Sequence, residues 1–264
     1  MRRIFSITCL LALLAAGIVF ASGNSEAGGS HVKLSPETLN YKVMFKWGLI
    51  NKRAGTATLT LTKGPKEYHS MLAAHSEPWA DRIYKVRDTL IGRMSLDNFK
   101  PLYYEKIAHE SNEFKHDVVK YDYTGYPPLT AADCIRKVVK KGELIRDETR
   151  RLESENKTVD MLTSFYYMRT LPFQDWLPGH TDETDIFSGK QKERLSIVYH
   201  GETDIIIDNK KHRAYHITFK FTSKGGKKSS DDMEAWISTD SARIPLKMEG
   251  KLPIGKVHCI YIGE

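Results

Sequence analysis

From Asn40 onward the chain is dominated by alternation of apolar and polar residues with a period of two. Asn40 to Trp47 reads Asn-Tyr-Lys-Val-Met-Phe-Lys-Trp, and Gly55 to Thr62 reads Gly-Thr-Ala-Thr-Leu-Thr-Leu-Thr. Successive side chains of a strand point to opposite faces, so each of these segments is expected to be half-buried, with one apolar and one polar face. Comparable runs lie at 67–74, 89–96, 102–109, 115–123, 134–141 and 143–151. They resume at 194–200, 203–208, 214–221, 233–238, 244–250 and 257–262. Short connections rich in Gly, Pro, Asn and Asp separate them, including Lys63-Gly64-Pro65, Asp97-Asn98, Asp208-Asn209 and Thr239-Asp240, which predicts antiparallel neighbours rather than helical crossovers.

One segment departs from this rhythm. Between Val159 and Leu171 the apolar residues Met161, Leu162, Phe165, Tyr166, Met168 and Leu171 follow helical spacing, with Asp160 near the start and Pro172 as a stop. A single central helix is therefore expected over about 158–171. A further turn of helix is expected at Pro78 to Tyr84. About a dozen strands in sequence cannot stay flat and open. The predicted fold is mainly β: an antiparallel, strongly curved sheet forming a barrel or half-barrel, with the helix plugging or covering one opening.

The first 27 residues follow another logic. Arg2 and Arg3 precede an apolar run from Ile4 to Phe20, and Val19-Phe20-Ala21 supplies small side chains where a signal peptidase needs them. The segment reads as a cleaved secretory signal with a short polar tail, leaving residues 28–264 as a single mainly-β domain. Cys9 lies too early to become the lipidated first residue of a lipoprotein. No later segment is long and apolar enough to span a membrane as a helix. The predicted location is periplasmic or envelope-associated.

Charge narrows the function classes. The formal net charge is +7, with Lys and Arg interspersed among Asp and Glu. The densest basic run, Arg136 to Lys141, alternates with apolar residues as the wet face of a strand would. A nucleic-acid partner is not expected, because that function needs a concentrated basic stripe. Two cysteines remain after signal removal, Cys134 and Cys259, both inside apolar strand-like runs. They are expected to be buried, reduced thiols.

Several local signatures together resemble one family. They are Tyr41-Lys42-Val43 with Trp47-Gly48-Leu49-Ile50 and Ala54-Gly55, then the run Asp81 to Asp88, then Ser164 to Arg169. The last is Ala235-Trp236-Ile237-Ser238-Thr239-Asp240-Ser241-Ala242-Arg243-Ile244-Pro245-Leu246. The chain resembles the exported bacterial proteins of domain-of-unknown-function family 3108, in the family's order, from about Glu37 to Ile262. The resemblance implies a mostly β cell-envelope protein and carries no catalytic residue with it.

Direct tests for chemistry give little. His109-Glu110-Ser111-Asn112-Glu113 has Glu113 where a zinc-protease motif needs its second His, and His212 and His216 would stand about 13 Å apart along a strand. His109, His116 and Asp117 are the nearest approach to a metal set. No nucleophile elbow or phosphate-cradling loop occurs. No catalytic residue, metal site or cofactor is expected, and the protein reads as a non-enzyme.

What remains is an aromatic-rich interior with two arginines. Trp47, Tyr84, Arg87, Tyr166, Arg169 and Trp236 are the candidate ligand-binding residues, because Tyr, Trp and Arg beside one another suit a partly wet cavity. Two roles compete for Arg169. It either pins the helix to the sheet through a carboxylate such as Asp88 or Asp81, with Trp236 beneath the guanidinium, or it receives an anionic head group together with Arg87. The leading functional expectation is binding of a lipid or other apolar or amphipathic envelope component in the curved sheet. An envelope protein-interaction scaffold without a small-molecule ligand is the second reading, and an unrecognised envelope hydrolase the third.

Overall fold

The computed structural model describes residues 34–125, 129–223, 230, 232–252 and 254–264. The expected signal peptide lies outside the described residues. Fifteen strands form one sheet. The first eight are β1 (Glu37–Trp47), β2 (Ile50–Lys63), β3 (Glu67–Ser76), β4 (Val86–Ser95), β5 (Pro101–Glu110), β6 (Glu113–Gly125), β7 (Leu129–Lys140) and β8 (Glu143–Ser154). The rest are β9 (Thr158–Val159), β10 (Thr181–Phe187), β11 (Lys192–Ile207), β12 (Lys210–Ser223), β13 (Met233–Ser238), β14 (Pro245–Lys251) and β15 (Lys256–Gly263). Helix α1 (Pro78–Tyr84) connects β3 to β4, and α2 (Thr163–Arg169) follows β9.

The strand order is β8-β7-β6-β5-β4-β3-β2-β1-β15-β14-β13-β12-β11-β10-β9. The first and last strands of the chain are thus neighbours, as Lys46↔Lys256 and Val43↔Cys259 pair across β1 and β15. All pairings are antiparallel except β9 with β10, which is parallel. The sheet wraps into a nearly closed barrel with β8 and β9 at its edges, and side-chain bonds instead of a ladder tie the β8 side to β10 and the β10–β11 turn. Ser154 Oγ donates to Asp185 Oδ2 at 2.5 Å, Asn156 Nδ2 reaches the same oxygen at 3.1 Å, and Arg150 donates to the Lys190 carbonyl at 3.2 Å. Most of the β8 edge is exposed and rich in charge of both signs, which discourages pairing with another chain.

Alternation decides what faces inward. On β1 the buried residues are Leu39, Tyr41 and Val43; on β2 they include Ala57, Leu59 and Leu61; on β12, Tyr215, Ile217, Phe219 and Phe221. Thr56, Thr58 and Thr60 of β2 point the other way. Tight turns carry the backbone signs their residues allow: Asp208 and Asn209 both have positive φ, as a two-residue hairpin of type I′ requires.

The structure corrects three expectations. Among the described residues there are two α-helices; α1 is the turn expected at Pro78 to Tyr84, and the central helix is shorter than 158–171. Thr158 and Val159 pair with Asp185 and Ile186 as β9, and Asp160 Oδ1 accepts hydrogen bonds from the N–H groups of Leu162 and Thr163 just ahead of α2. Strand β10 was not expected, because Thr-Asp-Glu-Thr-Asp lacks an apolar face. Its Thr184 and Asp185 are nonetheless buried, and both bond to the Lys157 carbonyl. Finally, the two runs 194–200 and 203–208 are a single strand, β11, bent where the register shifts between Tyr199 and Gly201.

Because neighbouring strands alternate in direction, one end of the barrel carries α1 together with the β1–β2, β5–β6, β7–β8, β10–β11 and β14–β15 turns. This is the α1 end of the barrel.

Candidate functional site

Helix α2 is the inner element. All seven of its residues are buried, although a seven-residue helix has little stability of its own. Tertiary contacts hold it instead, and its faces meet different surroundings. One face presents Met161, Leu162, Phe165 and Met168 to the sheet interior, another presents Thr163, Tyr167 and Thr170 to a groove, and Arg169 points toward the start of β1.

The first face closes an apolar cavity of about 50 Å³. Tyr41, Leu72, Leu90, Phe219, Met233 and Met248 line the sheet side. Four methionines surround this space, two from the α2 segment and two from β13 and β14. Unbranched thioether side chains repack at low cost, so the cavity wall is adaptable.

The second face borders a groove of about 390 Å³ between α2, the 155–159 segment and the ends of β5, β6 and β7. Tyr167 Oη donates to Asp182 at 2.5 Å, and Lys157 Nζ sits 4.3 Å above the Tyr167 ring. Burial lowers the Lys157 pKa, with Asp182 opposing the shift.

Arg169 is fully buried, and each of its three guanidinium nitrogens meets an acceptor. Its guanidinium pairs with both carboxylate oxygens of Glu37, Nη2 at 3.0 Å from Oε2, and donates to the Arg243 carbonyl at 3.0 Å and the Ala242 carbonyl at 2.8 Å. The rings next to it are Phe165 at 5.8 Å and Tyr166 at 5.7 Å. Its carboxylate partner is therefore Glu37 rather than Asp88 or Asp81, and Trp236 is not beneath it. The strand period explains Trp236. Met233, Ala235 and Ile237 face inward on β13, so Trp236 faces outward, stacked on His216 at 4.9 Å with Lys247 Nζ 4.5 Å above the ring.

The other candidates are spread over the molecule. Tyr166 is buried beside Arg169, and its hydroxyl is without a hydrogen-bond partner. Arg87 is exposed on β4 and forms a forked pair with Asp81 at 3.2 and 2.8 Å. Tyr84 ends α1 and donates to Glu110 Oε2 at 2.6 Å. Trp47 is half exposed at the β1–β2 turn. Of the six, the structure brings only Tyr166 and Arg169 together.

A polar quarter of the barrel interior has no counterpart in the sequence reading. Asp88, Lys106, Glu110, Lys115, Asp117 and Arg136 converge from β4 to β7. Burial works against the Glu110 carboxylate, but Lys106, Lys115 and Tyr84 together hold it down to about 2. Asp117 accepts two hydrogen bonds from Arg136 at 2.8 and 2.9 Å. Asp88 is different. No side chain hydrogen-bonds to either of its buried oxygens, and burial pushes its pKa up to about 7, against the pull of Lys106 and of the His109 backbone N–H.

His109 packs against Phe114 with the rings tilted, centroids 4.8 Å apart, and His116 binds Glu105 at 2.7 Å, so neither turns toward Asp117. Among the described residues, no three His, Cys, Asp or Glu side chains are placed to hold a metal ion. Among those residues, no helix is long and apolar enough to cross a membrane.

Comparison with known proteins places this geometry. A solved structure described as a beta-barrel-like protein of domain of unknown function DUF1849, from Brucella abortus, matches with a TM-score of 0.58 at 10% identity, over 88% of this chain and 98% of that one. The hypothetical lipoprotein YmcC of Escherichia coli K12 matches with a TM-score of 0.30 at 8% identity, over 86% and 87%. A search of curated proteins finds no match. At such identities the first likeness speaks to the fold alone: a barrel-like sheet of this kind recurs in a second family of unknown function. The model of a family described as protein of unknown function, DUF3108, matches residues 40–259, and the chain belongs to that family.

Proposed function

We propose that this protein is a non-enzymatic component of the cell envelope that binds an apolar or amphipathic molecule inside its barrel. The observation that carries the reading is the methionine-lined apolar cavity between α2 and the sheet. Apolar cavities of this kind stay dry and accept apolar guests. At about 50 Å³ it receives only a small apolar group as it stands. An acyl chain enters when the methionines repack and α2 shifts. The signal-like residues 1–27 support export to the envelope, where amphipathic molecules are plentiful.

Arg169 has no part in holding the ligand's head group in this reading, since it is buried and Glu37 and two carbonyls engage all three of its guanidinium nitrogens. The test is titration with a fatty acid carrying an environment-sensitive fluorophore. Saturable, blue-shifted emission that weakens in Leu162→Phe, which fills the cavity, supports the proposal. Absence of saturable binding to the wild-type protein defeats it.

A further inference from the structure

The exposed large hydrophobic side chains are not spread evenly. Trp47, Leu49, Ile50, Ile83 and Ile254 all lie at the α1 end, and Leu144 and Ile145 lie on β8 just beyond the β7–β8 turn at that same end. That is seven of the eleven such residues among those described. Leu49 protrudes completely, at the tip of the two-residue β1–β2 turn.

Hydrogen bonds and close packing join these tips into one rim. Trp79 Nε1 of α1 donates to the Arg53 carbonyl of β2 at 2.7 Å. At Gly255 an added Cβ would meet the Lys46 carbonyl and the Trp47 side chain, so the β14–β15 turn lies directly against the β1–β2 hairpin. Ser111 N–H bonds to the Lys85 carbonyl and Lys141 N–H to the Asn112 carbonyl, which ties α1 to the β5–β6 turn and that turn to β7–β8.

The unpaired charge of this rim is mostly positive. Lys46, Lys52, Arg82, Lys85, Lys141 and Lys251 are exposed, and among the described residues none forms an ion pair. The neighbouring acids Glu77, Asp81 and Glu113 are already paired, with Arg53, Arg87 and Lys115. Glu143 and Asp147 are the exceptions, at the β8 margin of the rim.

We propose that the α1 end is a docking surface for an anionic phospholipid bilayer. Protruding Trp, Leu and Ile side chains enter the boundary between head groups and acyl chains, and lysines ringing them meet the negative surface. Charge complementarity selects this partner: a second copy of the chain would bring cation against cation, whereas an anionic bilayer neutralises the unpaired lysines. Projecting tips also suit a soft interface that deforms around them. The proposal stands apart from the cavity reading, since no cavity residue belongs to the rim.

Flotation of the purified protein with phosphatidylcholine vesicles, with and without about a third phosphatidylglycerol, tests it. The expected result is flotation with the anionic vesicles only, reduced about tenfold on raising salt from about 0.1 M to about 1 M. The double variants Leu49→Ser/Ile50→Ser and Lys46→Glu/Lys52→Glu should each lose binding about tenfold or more while melting at the wild-type temperature, whereas Ile206→Ser, away from the α1 end, should bind normally. Failure of the wild-type protein to float with anionic vesicles overturns the proposal. So does equal binding to neutral vesicles, undiminished binding by both rim variants, or an equal loss in Ile206→Ser.

Discussion

Arg169 and Glu37 form a buried ion pair that fastens the inner helix to the start of the first strand, 132 residues away in sequence. Both side chains are almost wholly out of water, at 2% and 8% exposure, and two backbone carbonyls accept further hydrogen bonds from the guanidinium. Removing one member of such a pair strands a charge in a medium that cannot solvate it. Arg169→Leu is expected to destabilise the fold by about 3–5 kcal/mol in chemical denaturation. The Arg169→Leu/Glu37→Leu double variant should lose less than the sum of the two single changes, because no lone charge is left buried. Additive losses would show that the two groups do not act as a pair.

Asp88 sets a pH dependence of the opposite kind. Its folded pKa, near 7, lies above the ordinary carboxylate value of 3.8, so between these limits the folded state binds the extra proton. Its contribution to stability is complete below about pH 4 and is lost as pH rises through 7. A shift of about three units corresponds to roughly 4 kcal/mol. Asp88→Asn should therefore stabilise the protein above pH 7 and flatten the decline between pH 4 and 7, measured by urea denaturation across that range. Asp160 and Glu193, raised by burial to about 6 and about 7, add to the wild-type slope in the same direction. If Asp88→Asn lowers stability at pH 8, the carboxylate is ionised and satisfied, contrary to this account.

Two glycines give a matched test of the α1 end. Gly255 has φ +81° and an added Cβ would lie 2.3 Å from the Lys46 carbonyl oxygen, whereas Gly142 has φ +85° with nothing within 4 Å. Both substitutions to Ala incur left-handed backbone strain of about 1 kcal/mol. Only Gly255→Ala must also push two hairpins apart, so it should cost more by about 1–3 kcal/mol. Equal losses in thermal melts would mean that the β14–β15 turn does not rest on β1.

Much of the barrel is legible in the chain because one sheet face is buried and alternation survives wherever that holds. The pattern Thr56-Ala57-Thr58-Leu59-Thr60-Leu61 needs no partner to be read, nor does Asp208-Asn209 as a hairpin turn, nor Pro78 as the first residue of α1. Legibility fails where polar groups are buried against distant ones. Strand β10 hides Thr184 and Asp185, whose partner is the Lys157 carbonyl, and Glu37 gives no local sign that it will meet Arg169. The interior cluster around Glu110 looks in sequence like ordinary wet strand faces. The rim of the α1 end is equally hidden, since its residues sit in turns scattered from Trp47 to Ile254 and only the fold gathers them.

The thiols offer the most direct check on the packing. Cys134 and Cys259 are buried and unbonded, on β7 and β15, which stand well apart in the strand order. Burial pushes both pKa values up to about 12 from an ordinary 9, so at pH 8 the reactive thiolate is about a thousandfold scarcer than for a free thiol. Access is blocked as well, since neither side chain reaches the surface. An aromatic disulfide reagent at pH 8 should therefore leave both thiols unmodified for as long as the barrel stays folded, and should label both rapidly in denaturant. Peptide mapping distinguishes them from Cys9, which lies in the segment expected to be removed. Labelling of Cys134 alone, without denaturant, would indicate that the β8 edge opens locally, because β7 lies only one strand from that edge. Labelling of Cys259 would require opening at the β1–β15 junction in the middle of the sheet, and its occurrence at the rate of the unfolded chain would be incompatible with this barrel.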